Sequence, residues 1–300
     1  MKVAVTGASG FVGGAVLHGL QQRGHEVIGL SRRGPDVSWD ITLGALSGAP
    51  AVDAVVHCAA LVRDGRLQPT HIAVNVEGTR NVLSSFPRAR IVHMSSASVY
   101  DPWVPKELVR EDASPPRRWL NGYGKTKRAA EELVFRLRPD AAVLRPHAVY
   151  GPGDTTLLPR VLRARLAGRQ LAVGDGRNRV TLTAITNLVD GVAAALRRPE
   201  ASGPFNIGDP DTPTVAEVFE YLLHSLGLPV SIAWIPRAVA WRAAIVSERL
   251  AGPREPLLSR YTVNQMSLNF TLNLDRARRE LGWEPEQTYR SAFATLTEAQ

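Results

Sequence analysis

Lys2-Val3-Ala4-Val5-Thr6-Gly7-Ala8-Ser9-Gly10-Phe11-Val12-Gly13 opens the chain, and its reading decides the fold. Lys2 to Thr6 is a short run rich in β-branched residues, which favours a strand. The glycines make a turn, and an apolar-periodic helix runs on to about Gly24, before a second strand at Glu26 to Leu30. Strand, glycine turn, helix, strand is the setting in which such a loop binds a dinucleotide. The glycines let backbone N–H groups approach a pyrophosphate at the helix N-terminus. Gly7, Ser9, Gly10, Phe11, Val12 and Gly13 are therefore candidate cofactor contacts.

The tip of the second strand reads the adenosine ribose. An NAD site places a carboxylate there for the 2′-hydroxyl. This chain has Ser31-Arg32-Arg33, a hydroxyl and two guanidiniums, which suit a 2′-phosphate. NADP(H) is expected over NAD(H). Trp39-Asp40-Ile41 falls where a third short strand ends, with Asp40, and Ile41 beside it, placed to reach the adenine. Asp53 to His57 is a fourth strand that runs into Cys58-Ala59-Ala60, small residues whose backbone can lie against a cofactor.

A long helical segment, about 67–86, carries Asn75, a polar residue that is either exposed or bonded internally. Arg90 to Met94 is a fifth strand running into Ser95-Ser96-Ala97-Ser98-Val99-Tyr100, a serine cluster at the ligand-binding edge of a parallel sheet. Pro102 to Pro116 reads as loop. A helix of about 121–138 then carries Tyr123-Gly124-Lys125-Thr126-Lys127. Tyr123 and Lys127 stand one turn apart on one face. The ammonium favours phenolate and is expected to lower the tyrosine pKa. Lysine occurs only at positions 2, 106, 125 and 127 of an arginine-rich chain, so two of the four sit here. A compact ammonium able to reach a ribose hydroxyl and a phenol is not replaced by a planar guanidinium.

Ala141 to Leu144 is a sixth strand, after which Pro152, Gly153, Pro159, Gly168, Gly174 and Gly176 break the chain into short pieces. The expected architecture is α/β: a Rossmann-type doubly wound parallel sheet over residues 1–150, then a smaller, mostly helical substrate lobe over 151–300. Segments near 180–208 return to the first domain, as a helix from Ile185 to Leu196 and a strand at Phe205 to Ile207. Ile232 to Val246 reads as an amphipathic packing helix.

The chain has 300 residues, 44% hydrophobic and 21% charged, as in a globular protein with a well-buried core. Met1-Lys2 leads straight into a strand, so no signal peptide is expected, and no apolar run approaches a membrane span. The single cysteine, Cys58, excludes an internal disulfide. A cytoplasmic protein without stable membrane insertion is expected. The net charge is +8, but the arginines are dispersed and no nucleic-acid-binding motif accompanies them. No nucleic-acid partner is expected, and no metal site.

Together these pieces resemble the extended short-chain dehydrogenase/reductase family over essentially the whole chain. The matching stretches are Thr6 to Gly13, His57 to Ala60, Asn75 to Thr79, Ser95 to Tyr100, Tyr123 to Lys127, Leu144 to Pro146, Val149 to Gly153 and Leu281 to Pro285. The resemblance implies that Tyr123 exchanges a proton with the substrate oxygen and that Ser96, with Ser95 as the alternative, hydrogen-bonds it. Lys127 would bind the nicotinamide ribose and tune Tyr123, and Asn75 and Pro146 would support the cofactor site. It also implies a homodimer across a four-helix interface of the 67–86 and 121–138 helices, for which Leu133, Val134 and Leu137 offer apolar surface.

Ser98, His147, Ala148 and Arg160 are candidate substrate contacts, although a lone loop histidine is more often structural or solvated and Arg160 reads equally as a surface charge. The segments Ile185 to Leu188, Asp209 to Pro213 and Leu258 to Val263 look like the branch of 3β-hydroxysteroid dehydrogenases and 3-oxoacyl reductases. That implies reduction of a ketone, or oxidation of a secondary alcohol, on a mostly apolar molecule. Sugar-nucleotide epimerases, dehydratases and 4-ketoreductases are the alternative branch. They often carry an asparagine where Ala148 stands and an arginine where Val180 stands, although Arg179 is adjacent. A non-catalytic dinucleotide-sensing protein is the alternative of another class, and the Ser96, Tyr123, Lys127 set speaks against it.

Overall fold

The computed structural model describes residues 1–34 and 36–298. Its centre is a seven-stranded, all-parallel sheet. The strand order is Gly203–Ile207, Ala142–Pro146, Arg90–Met94, Ala54–His57, Lys2–Thr6, Glu26–Ser31 and Val37–Ser38. Alternation along the strands assigns each residue to a face. Val3, Val5, Ala54, Val56, Ala142 and Leu144 pack on one side with Val16 and Leu20 of the Phe11–Gln22 helix and Leu188 and Val192 of the Ile185–Arg197 helix. Ala4, Val55, Ile91 and Val143 pack on the other with Val82, Leu83 and Val134. Both faces are covered, which is why these strands carry apolar residues on both faces rather than on one alone.

The chain starts mid-sheet, extends to one edge, then crosses back and builds toward the other. The order therefore reverses between Lys2–Thr6 and Ala54–His57. A crevice opens at the carboxyl ends of strands flanking such a reversal.

Beyond this sheet lie helices Leu157–Arg163, Val215–Ser225, Arg237–Ala251, Arg260–Ser267 and Tyr289–Glu298. A three-stranded sheet of Ile232–Ile235, Arg169–Val173 and Arg165–Leu166 accompanies them. Tyr150, Phe219, Leu222, Tyr289 and Phe293 form a further core.

Four local expectations change. The 232–246 segment is a strand, Ile232–Ile235, and a separate helix, Arg237–Ala251. Pro236 divides them, since it has no N–H to continue a ladder and its fixed φ suits a helix start. The 102–116 stretch contains a strand, Lys106–Val109, paired in parallel with Phe270–Leu272. That partner lies far along the chain, beyond the reach of local pattern. The 67–86 helix starts at Pro69 and passes through a π-helical turn, Ala73–Glu77, before Gly78–Ser85. Finally, Leu133 and Val134 are buried within this chain and offer no outer surface, while Leu137 is exposed.

Candidate active site

Gly7 has φ +72°, and a Cβ there would sit 2.8 Å from the Ala59 amide nitrogen. A Cβ on Gly13 would meet the Gly7 carbonyl oxygen at 2.1 Å. Neither position admits a side chain, so the turn folds tightly against Cys58-Ala59-Ala60. The Phe11–Gln22 helix begins at Gly10 with no side-chain cap and no acid in its first turn. Its leading N–H groups face outward beside the exposed Ser9 and half-buried Phe11 and Val12, as anion binding requires.

At the end of the second strand Ser31 is buried, and its Oγ has no hydrogen-bond partner. Arg32 and Arg33 are exposed, and neither guanidinium has an ion-pair partner among the described residues. Asp40 uses one carboxylate oxygen, Oδ1, to accept from Thr42 N and Thr42 Oγ1, at 2.9 and 2.7 Å. Those bonds hold its carboxyl below the usual range and cap the turn that begins at Ile41. The side-chain-free glycine turn at a helix N-terminus fits a dinucleotide, with an orphaned hydroxyl and two cations that have no ion-pair partner among the described residues beside it.

Asn75 lies in the π-helical turn and is buried. Its Oδ1 accepts from Leu61 N at 2.7 Å, and its Nδ2 donates to Leu61 O at 3.3 Å and Thr126 Oγ1 at 3.0 Å. Asn75 thus ties the loop after Ala60 to the helix that bears Tyr123. A second buried line braces the same loop. Thr79 Oγ1 donates to Asn75 O at 2.8 Å, so His57 Nε2–H donates to Thr79 Oγ1 at 3.0 Å. His57 Nδ1 then accepts from Thr6 Oγ1 at 2.7 Å. Burial lowers the His57 pKa to about 3 and raises that of Cys58 to about 12, so both stay neutral.

The Gly122–Leu137 helix is capped by Asn121, whose side chain accepts from Gly124 N. Gly124 is held against Ser98: a Cβ would lie 2.6 Å from the Ser98 carbonyl oxygen. That approach brings Tyr123 to the serine cluster, where Ser96 rather than Ser95 acts on its phenol. Ser95 Oγ is buried without a partner. Lys127, one turn on, is buried, and its Nζ donates to Met94 O at 2.6 Å. Burial lowers its pKa to about 8 against the opposing pull of Glu131. The expected lowering of the Tyr123 pKa is reversed in this structure. Burial raises it, and the Ser96 hydrogen bond only opposes that rise. Lys127 spends its charge on the Met94 carbonyl instead of on the phenol.

Of the remaining candidates, Pro146 ends its strand, and Ala148 has φ +46°, a left-handed conformation unusual for alanine. His147 is buried, with Nδ1–H donating to Thr181 O at 2.7 Å and Nε2 lying 3.1 Å from Gln265 Oε1. Arg160 is exposed and paired with Glu255 at 2.5 Å.

A family profile described as the NAD dependent epimerase/dehydratase family matches residues 3–208. The chain belongs to that family. It is 30% identical to "2-alkyl-3-oxoalkanoate reductase" of Stenotrophomonas maltophilia (strain K279a), over 99% of this chain and 98% of the relative. It is 28% identical to "3-beta-hydroxysteroid dehydrogenase" of Mycolicibacterium neoaurum, over 98% of this chain and 89% of the relative. Among solved structures, "MoeE5 in complex with UDP-glucose and NAD" superposes with a TM-score of 0.76 at 27% identity, covering 99% of this chain and 98% of that one.

Several residues of this epimerase/dehydratase-family chain escaped the sequence reading. Tyr261, on the Arg260–Ser267 helix, places its Oη 2.6 Å from Ser98 Oγ, which lies 3.0 Å from Ser96 Oγ. Asp64 accepts from Asn121 Nδ2 at 3.0 Å, from Thr262 Oγ1 at 3.2 Å and from Ser259 Oγ. It thereby joins the N-caps of the Tyr123 and Tyr261 helices. Only the cap residue Ser259 carried a local signal. The contacts span sequence separations of 163 and 195 residues.

Proposed function

We propose that this chain is an NADP(H)-dependent oxidoreductase that interconverts a ketone and a secondary alcohol on a mostly apolar substrate. Ser96, Tyr123 and Lys127 carry the chemistry. The observation behind this reading is the juxtaposition of the Tyr123 phenol and Ser96, with the buried Lys127 ammonium one helical turn away. The bound nicotinamide supplies or accepts the hydride. Burial keeps Tyr123 protonated, so its phenol donates to the carbonyl oxygen and gives up its proton as the alcohol forms. Ser96 donates a second hydrogen bond to the same oxygen. Lys127, held at the Met94 carbonyl, would bind the nicotinamide ribose.

The unpartnered Ser31 hydroxyl and the unpaired Arg32 and Arg33 support a 2′-phosphate. Asp40 Oδ2 is left over for the adenine. Residues 1–150 bind the dinucleotide and 151–300 select the substrate. The strand Gly203–Ile207 in the central sheet supports the return of the 180–208 segment to the first domain. A homodimer across the 67–86 and 121–138 helices is part of the reading, now resting on the exposed Ile72 and Leu137.

The oxoalkanoate reductase and hydroxysteroid dehydrogenase relatives support an apolar ketone. A nucleoside diphosphate needs positioned cations, yet Arg160 is paired with Glu255 and Arg179 donates to Thr212 O at 3.1 Å. The second reading, a sugar-nucleotide epimerase or dehydratase, is favoured by the likeness to MoeE5 with UDP-glucose. A competition assay decides between them. NADPH oxidation is followed with 2-alkyl-3-oxo acids, 3-oxosteroids and simple apolar ketones, with UDP- and dTDP-sugars as competitors. Turnover of an apolar ketone that Tyr123→Phe lowers by about 10²–10⁴-fold is expected. Tight inhibition by a nucleotide sugar would promote the second reading. NADPH binding without turnover of any carbonyl would favour a dinucleotide-sensing protein.

A further inference from the structure

We infer that the outward face of the Arg237–Ala251 helix is a docking surface for an anionic lipid membrane, which the protein meets reversibly. No helix among the described residues is long and apolar enough to cross one. The helix turns Ala240, Ala244 and Glu248 inward, against Val263 and Arg260 of the Arg260–Ser267 helix. Val239, Ala243, Val246 and Leu250 recur at i, i+4, i+7 and i+11 on the opposite side and are exposed, Leu250 to 83%. Single exposed apolar residues are ordinary. A stripe of them along a whole helix, where a surface helix carries its polar residues, marks an interaction face. Leu257 stands fully exposed beside the stripe, because the next residue, Leu258, donates its N–H to Ser247 Oγ at 3.2 Å.

The charge on this face has one sign. The helix holds a single acid, Glu248, which is buried and paired with Arg260. Arg242 and Arg249 flank the stripe on one side, seven residues apart, and Arg254 follows the helix. All three are exposed and have no ion-pair or side-chain hydrogen-bond partner among the described residues. At the margin Trp241 meets the part-exposed Trp103, with ring centroids 6.0 Å apart, and Trp103 Nε1 donates to the carbonyl of the exposed Arg118 at 2.9 Å. An aliphatic stripe edged by arginines, with tryptophan beside it, is the composition of a helix that lies in a lipid headgroup layer. A second copy fits poorly, since it would set arginine against arginine across the contact. The net charge of +8 adds a longer-range pull toward an anionic surface. The docked helix stands one helix away from the serine cluster, which Tyr261 of the Arg260–Ser267 helix touches. The docking stands on this surface alone; that an apolar ketone is drawn from the bilayer rests on the oxidoreductase reading above.

Co-sedimentation of the full chain with vesicles reads docking without any activity. The vesicles are phosphatidylcholine alone, or phosphatidylcholine with phosphatidylglycerol. Binding to the anionic vesicles is expected at about 0.1 M salt and should be lost at about 1 M, where screening is strong. An arginine near an anionic surface is worth about fivefold in affinity, so Arg242→Glu with Arg249→Glu should weaken binding by about 25-fold or more. Val246→Glu with Leu250→Glu removes the apolar burial and should cost more than about tenfold. Arg88 and Arg197 are exposed near the amino-terminal edge of the central sheet, one before the Arg90–Met94 strand and the other ending the helix that leads to Gly203–Ile207. Arg88→Glu with Arg197→Glu changes the net charge equally and should stay within about threefold of the parent, because distant charges are screened. All three pairs lie on the surface, so melting temperature and NADPH affinity should match the parent. A parent that ignores anionic vesicles would overturn the proposal. Equal losses in the Arg88 and Arg197 pair would overturn it too, leaving net charge alone at work. An oligomer split by the Val246 and Leu250 pair, with no vesicle binding by the parent, would give the face to a second copy. A ketone held in the same vesicles should be reduced more slowly by that pair than by the parent, and a short water-soluble ketone equally fast. If the parent turns over neither, the oxidoreductase reading fails, and sedimentation still judges the docking.

Discussion

At the scale of single residues, the site is governed by which polar groups have partners and which do not. Lys127 and Tyr123 share a helix face, yet Lys127 bonds the Met94 carbonyl while Tyr123 faces Ser96. By contrast, Ser31 Oγ is buried with nothing to bond, and the two arginines beside it are unpaired. Removing a charge-assisted hydrogen bond to a phosphate costs roughly 1.5–3 kcal/mol. Arg32→Ala should therefore weaken NADPH binding by about 10- to 100-fold and leave NADH almost unchanged, as measured by fluorescence titration of each cofactor. Equal losses for both, or a parent that prefers NADH, would show that these arginines do not read the 2′-phosphate.

At the scale of elements, a buried ion pair fixes the Tyr123 helix against the sheet. Arg145, in the Ala142–Pro146 strand, donates from Nε and Nη2 to the two carboxylate oxygens of Glu131 at 2.9 and 2.7 Å. Its Nη1 reaches Tyr100 Oη at 3.1 Å and Glu111 O at 3.0 Å. Glu131 stands one turn past Lys127, so the pair sets the depth at which Lys127 meets Met94. Arg145→Met would strand Glu131 without its counter-ion and should destabilise the protein by about 3–5 kcal/mol in urea unfolding. A loss under about 1 kcal/mol would mean the helix is held by its apolar stripe alone.

The Lys106–Val109 strand carries an opposite case. Lys106 is buried over the Phe270 ring, donates to Val104 O at 2.7 Å, and has no carboxylate within ion-pair distance among the described residues. Burial lowers its pKa to about 8. Between that value and an unfolded value near 10.4, the unfolded chain holds a proton that the folded chain has lost, so stability rises with pH there. Below pH 8 the full cost of the buried charge is present. Lys106→Met should therefore be the more stable protein at pH 7, by up to about 3 kcal/mol, and its advantage should fade as pH climbs toward 10.5. A difference that stays constant with pH would contradict this.

At the scale of the whole molecule, the reversal of strand order opens the cofactor crevice, and the Arg260–Ser267 helix meets the serine cluster across it. The outer faces of the 67–86 and 121–138 helices are where the proposed second copy would dock. With Leu133 and Val134 buried internally, the apolar surface there is modest, carried by Ile72 and Leu137 beside charged residues. Light scattering at micromolar concentration should give a dimer mass, and Leu137→Arg should shift it to the monomer without changing cofactor affinity. A monomeric parent would remove the interface from the reading.

Sequence alone determined the features that depend on local pattern. The glycine turn needs residues without side chains, the doubly covered sheet needs unbroken apolar strands, and the YxxxK pair needs only helical spacing; all three are written in consecutive residues. The missing carboxylate after the second strand was equally plain. Tertiary structure alone decided the rest. It buried Leu133 and Val134, paired Lys106–Val109 with Phe270–Leu272, and turned Tyr123 toward Ser96 while Lys127 bonded backbone. It also brought Asp64 to the cap of the Tyr123 helix and Tyr261 to the serine cluster from distant parts of the chain. Single hydroxyls and amides carry no periodicity, so their partners are set only when the two lobes pack. The direction of a pKa shift follows the same rule, because burial and neighbouring charge compete and only the folded chain decides which prevails.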